Sequence, residues 1–128
     1  MKPILREFLS WLEDVSMGIR QPGSPFDLPL DAEIVAKAQQ AVDMAQASGD
    51  EVTLFTNGIP AQAVVAHLVF HRAGFGADRM AQGGLTQAEG DGLVKAVQAL
   101  ASCKLLLVED AFLHRGEQHT TITPHQHT

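Results

Sequence analysis

The chain reads as α/β: a small, mostly parallel sheet flanked by helices, with a helical arm at its N-terminus. Three observations predict this. A short apolar run, Val52-Thr53-Leu54-Phe55, stops at Thr56-Asn57-Gly58. A second run, Leu105-Leu106-Leu107-Val108, stops at the acidic pair Glu109-Asp110. Two helical patterns lie between them, and strand, helices, strand is the order of a parallel crossover unit. The 128 residues are expected to form one domain. Within it, residues 1–20 are the arm, 31–110 the α/β core and 111–128 a partly flexible tail.

Residues 3–17 carry Ile4, Leu5, Phe8, Leu9, Trp11, Leu12 and Val15 at helical spacing. Pro3 suits a first helical position, and Gly18 is placed to end the helix. Two readings of the stripe stand: a helix packed on the domain's own core, or a docking helix with Phe8 and Trp11 as partner anchors. Residues 21–29 hold a row of turn formers, Pro22-Gly23-Ser24-Pro25, and read as a connector between arm and core.

The second helix is expected over 32–48, with Asp31 as N-cap, Glu33 in the first turn and Gly49 just past the end. Its apolar face is Ile34, Val35, Ala38, Ala41, Val42 and Ala45, and the alanines suit close packing on a flat partner such as a sheet. The strand 52–56 is nearly all apolar, as for a strand covered on both faces. Asn57-Gly58 turns the chain into a helix running from Ala61 to about Ala73, with Ala61, Val64, Val65, Leu68 and Val69 inward. Residues 77–81 form a short helix ended by Gly83-Gly84. Thr86-Gln87-Ala88-Glu89 is a capping box and starts a helix to about Ser102. That helix turns Leu93, Val94, Val97, Leu100 and Ala101 inward, and Gly90 and Gly92 leave room for another element. The second strand covers 104–108. Thr120-Thr121-Ile122-Thr123 reads as an edge strand, and 124–128 as a frayed end.

Composition narrows the function. Apolar content of 45% and charged content of 19% are those of a soluble globular chain. No apolar run reaches the ~18 residues of a membrane span, and the acidic residues soon after Lys2 and Arg6 do not fit a signal peptide. A cytoplasmic location is expected, in keeping with a single cysteine, Cys103. Net charge is −6, with four basic and nine acidic side chains in residues 1–51 and five against six in the remainder. No Lys/Arg cluster exists to neutralise phosphates, so direct nucleic-acid binding is not expected.

Candidate chemistry is sparse. His67 and His71 stand at i and i+4, a metal-ligand spacing, but Leu68 follows the first histidine and no third ligand is near. The competing reading is a solvated helix face. His114, His119, His125 and His127 lie in the tail. Cys103 precedes an apolar strand and reads as a small buried hydrophobe. Asn57, Gly58, Glu109 and Asp110 cluster at the carboxyl ends of the two strands, where open parallel sheets bind ligands. No G-x-x-x-x-G-K-[ST], G-x-S-x-G or G-x-G-x-x-G occurs, so no nucleotide cofactor is expected.

With strands and helices in this order, residues 51–110 resemble the RecA-like motor domain of DnaB-type replicative helicases. In that family a strand ends in a phrase like F-S-L-E-M-S, which corresponds here to Phe55-Thr56-Asn57-Gly58-Ile59-Pro60. Arg79-Met80 and Gly83-Gly84-Leu85 match the middle segment, Thr86 to Glu89 the capped helix, and Leu105 to Asp110 the Walker B strand. The resemblance places the two strands side by side and parallel. It also shows what has changed: Gly58 stands where the family has its catalytic glutamate, Gly90 where it has a tryptophan, and the phosphate loop is missing. The implied function is a non-enzymatic interaction module. It would dock on a replicative helicase or on a second copy of itself, and act in DNA replication or mobile-element maintenance. The alternatives are a small ligand-binding protein or enzyme using the strand-end pocket, and a structural subunit of a homo-oligomer.

Overall fold

The computed structural model describes residues 2–109. Among them run α1 (Pro3–Ser16), a 3₁₀ turn (Pro25–Asp27), α2 (Ala32–Ser48), β1 (Val52–Phe55), α3 (Ala61–Arg72), α4 (Ala77–Gln82), α5 (Gln87–Ala101) and β2 (Leu105–Val108). The chain is α/β, with a two-stranded parallel sheet flanked by helices among the described residues. Val52 pairs with Leu105 and Phe55 with Val108, so the expected neighbouring parallel strands are present. Asp110, the tail, its four histidines and the edge strand expected at 120–123 lie outside the described residues.

Helix α3 is the spine. The expectation of one inward face is too narrow: Ala61 and every residue from Ala63 to Phe70 is buried. A helix apolar on all sides belongs inside a protein, and α1, α2, α4 and α5 all pack around this one. Helix α2 buries Ala38, Ala41, Val42 and Ala45 and lies on the sheet, as its alanines suggested. The expected burial of β1 on both faces is not found. Val52 and Leu54 pack on the core, whereas Thr53 is exposed and Phe55 is 44% exposed. A continuous apolar run does not distinguish one covered face from two. The run in β2 does mean full burial, since all four of its residues are inside.

The N-terminal helix is not an arm. Phe8 is 0% and Trp11 7% exposed, so both expected docking anchors are core residues. The reason lies in the connector. Phe26 is buried among turn-forming neighbours; its ring stacks on Trp11 at 5.7 Å and meets Phe8 edge-on at 5.9 Å. Phe70 of α3 completes the cluster, 6.4 Å from Phe8. Such ring pairs are worth about 0.5–1.5 kcal/mol beyond their buried area. Arg20 lies over the Trp11 ring at 5.6 Å, pairs with Asp27 and donates to the Met80 carbonyl. It thereby ties α1, the connector and α4 together. The Trp11 indole N–H is buried without an acceptor, a cost accepted for the ring's packing.

Local signals fix the helix ends. Past α1, Gly18 N–H donates to the Val15 carbonyl at 3.0 Å and Ile19 N–H to the Asp14 carbonyl at 2.8 Å, a Schellman closure. The capping box of α5 is formed: Glu89 N–H donates to Thr86 Oγ1 at 3.2 Å and Thr86 N–H to Glu89 Oε1 at 2.9 Å. Arg79 adds a two-pronged contact to the same carboxylate, at 3.0 and 2.6 Å, and donates to the Gly83 carbonyl at 2.9 Å. An added Cβ at Gly90 or Gly92 would meet nothing within 4 Å, so neither glycine serves the close approach expected of it.

These contacts pull the Glu89 carboxyl down from the usual 4.5 to about 2, first through the Arg79 hydrogen bonds and next through the Thr86 N–H. A lowered carboxyl contributes stability that is complete above its unfolded value and is lost as pH falls through the folded one. Wild type should therefore exceed Glu89→Gln in stability at neutral pH, and the gap should close between pH 4.5 and about 2. Urea titrations across that range check it; a gap that stays constant refutes the assignment. The pair is partly exposed, so salt should narrow the gap as well.

Candidate functional site

The strand ends were the expected ligand site, and they are filled from within. Asn57 and Gly58 both take positive φ, 55° and 88°, as a tight turn requires, and Ile59 N–H closes it on the Thr56 carbonyl at 3.2 Å. Thr56 is buried and its hydroxyl donates to the Ile59 carbonyl at 2.8 Å. Gly58 N–H donates to the Glu109 carbonyl. Helix α3 begins after Pro60, which has no side chain to cap it. Glu109 supplies the cap from the far strand: Ala61 N–H donates to its Oε2 at 2.8 Å. A carboxylate on a helix N-terminus satisfies an orphan donor and the dipole together. Gly58 and Glu109 are thus structural: their groups hold the turn and the helix start.

Glu109→Ala should cost about 1 kcal/mol, the usual penalty for a lost N-cap, with Glu109→Gln costing less. Amide exchange at Ala61 should quicken in the alanine variant. Unchanged exchange there would show that the carboxylate does not cap α3.

The two histidines are also placed differently from expectation. His67 is not on a solvated face; it is 7% exposed, and its Nε2 sits 2.9 Å from the Leu28 carbonyl of the connector. His71 is exposed. One ring nitrogen of the pair is engaged by a carbonyl, and the other histidine stands in the open. Among the described residues no group of three His, Cys, Asp or Glu side chains is placed to hold a metal. Cys103 is buried, as expected, and burial pushes its thiol up, against the pull of Lys2 and Arg72.

The principal concavity lies elsewhere. A groove of about 460 Å³ opens between α2, α3 and α4. Its α2 wall is Ala32, Val35, Ala36, Gln39 and Gln40, one helical stripe beside the stripe that faces the core. Its floor is Phe70 with His67, and Phe75 and Met80 close the α4 side. Arg72 steadies one wall, donating to Gln39 Oε1 at 2.8 Å, to Asp43 at 3.1 Å and to Gln46 at 3.1 Å. Among the described residues no Asp, Glu, Lys, Arg, Cys, Ser or Thr lines the groove. It can hold an apolar body and offer imidazole and amide groups, and it carries no obvious nucleophile or acid. A smaller hollow of about 110 Å³ adjoins the strand ends, lined by Lys37, Thr56 and Asn57 among others.

Sequence reasoning found His67 and His71 but not the groove that they border. The signal was present in Ala32 and Ala36, small residues on α2 outside its buried stripe. Turning that into a cavity needs the distance between two helices, which no local pattern encodes.

No helix among the described residues is long and apolar enough to cross a membrane. Comparison of the chain with protein-family models, with curated proteins and with solved structures finds no significant match.

Proposed function

We propose that this chain is a small-ligand-binding module whose site is the groove between α2, α3 and α4. The observation that carries the reading is the groove itself. Its volume of about 460 Å³ falls within the usual range of ligand pockets, and its lining is apolar with a few polar groups, as such pockets are built. The strand-end site is the weaker candidate, because Glu109 and Gly58 are engaged by the fold. An NMR titration with a library of aromatic fragments tests the proposal. Shifts should concentrate on Gln39, Gln40, His67 and Phe75, and Ala36→Trp, a substitution at an exposed position of the α2 wall, should abolish them. Fragments that leave these residues unmoved, or bind equally well to Ala36→Trp, would defeat it.

A second reading keeps the expected docking on a replicative helicase, or self-association, in DNA replication. Its support is the neighbouring parallel pair of β1 and β2, the arrangement that a truncated RecA-like unit requires. The same pair suits any parallel crossover unit, so it does not favour a helicase relative over others. Affinity capture from host lysate with the full chain decides it: no replication protein recovered across a range of salt concentrations ends that reading.

A further inference from the structure

Resting on the groove as the binding site, we infer that its ligand is an uncharged aromatic molecule that donates one hydrogen bond to Nδ1 of His67. The imidazole is more than nine-tenths buried in the floor of the groove. Its Nε2 faces the Leu28 carbonyl at 2.9 Å, and a carbonyl only accepts, so the ring proton sits on Nε2. In the neutral imidazole with its proton on Nε2, Nδ1 is a lone-pair acceptor. Among the described residues the bond to Leu28 is the only hydrogen bond that His67 makes. The ring itself lines the groove, so its second nitrogen is the polar atom that His67 has left for a ligand there. A buried acceptor of fixed tautomer within an apolar lining selects a partner with an O–H or N–H.

The remaining chemistry follows from the walls. Among the described residues no Asp, Glu, Lys or Arg lines them, so an ionic ligand would lose its hydration with no charged group there to replace it. Phe70 and Phe75, with ring centroids 6.3 Å apart, offer an aromatic surface, and Leu30, Val35 and Met80 add aliphatic lining. An apolar cavity of about 150 Å³ holds one benzene, so this groove has room for a body of two or three fused rings.

The test uses the full chain and four probes: 2-naphthol, 2-methoxynaphthalene, naphthalene and 2-naphthoate. Affinities come from amide-shift titrations, and the ring nitrogens of His67 are followed by ¹⁵N shift. 2-Naphthol should bind roughly three- to tenfold tighter than 2-methoxynaphthalene, the range expected of one neutral hydrogen bond. It should move Nδ1 and not Nε2, and 2-naphthoate should bind weakest. His67→Phe removes the acceptor and keeps an aromatic ring in the floor, so its preference for naphthol should vanish while naphthalene still binds. If that variant fails to fold, the Nδ1 shift in the wild type decides alone. Equal binding of naphthol and its methyl ether, or tightest binding of naphthoate, overturns the inference and leaves the groove as a binding site. Failure of all four probes to bind in the groove removes the site and the inference together.

Discussion

Phe8→Ala should lower stability by about 3–5 kcal/mol, the range for removing a buried aromatic ring. Small domains hold about 5–15 kcal/mol in total, so the variant stands at the edge of folding. The site is unforgiving for a specific reason. Phe8 touches rings from three separate segments: Trp11 of its own helix at 5.6 Å, Phe26 of the connector and Phe70 of the spine. Removing it leaves a cavity whose walls belong to all three, and none can move in without abandoning another partner. An anchor on a peripheral arm would behave differently, since truncating an exposed side chain costs within about 0.5 kcal/mol. Urea denaturation distinguishes the two cases. A loss below ~1 kcal/mol would return α1 to the role of an arm.

Gly83→Ala should be the next most damaging change at a single small residue. Gly83 has φ +74° and ψ −169°, a region open essentially to glycine alone. A side chain there costs about 1–3 kcal/mol in backbone strain. A second penalty adds to it, because the new Cβ would lie 3.2 Å from the Val15 carbonyl oxygen. That oxygen already accepts the N–H of Gly18 and, at 3.0 Å, the N–H of Gly84. Pushing it away loosens the last turn of α1 from the turn between α4 and α5. Gly84→Ala is the control. Its φ is also positive, +63°, but an added Cβ meets nothing within 4 Å. Gly84→Ala should therefore cost less, and exchange at the Gly84 amide should rise sharply only in Gly83→Ala. Equal costs at the two positions would mean that contact with Val15 is unimportant.

Features written in neighbouring residues were legible in the sequence. The capping box at Thr86 and Glu89, the glycine stops at Gly18, Gly49 and Gly83, and the buried stripe of α2 all depend on spacings of a few residues. Features that depend on distant partners were not. Phe26 sits among prolines and glycines with no periodicity around it, so nothing local marks it as the residue that fastens the connector. Glu109 was recognisable as an acid at a strand end, yet the N–H it serves, on Ala61, lies 48 residues earlier. His67 looked solvent-facing because Leu28, whose carbonyl holds it, belongs to another segment. The candidate site follows the same rule: two of its side chains stood out as a pair, and the space between helices that gives them meaning did not.

The parallel pairing of Val52 with Leu105 also bears on how the chain is made. The two strands are separated by the whole of α3, α4 and α5, so the sheet closes a long loop and cannot begin early. Lys2, the N-cap residue of α1, donates to the carbonyl of Cys103, just ahead of β2. During synthesis the first helix and the spine therefore wait, apolar faces exposed, until β2 leaves the ribosome. A nascent chain stalled before Leu105 would present Phe8, Val42 and the empty place of Leu107 in the core to chaperones, which makes β2 the timing element of the fold.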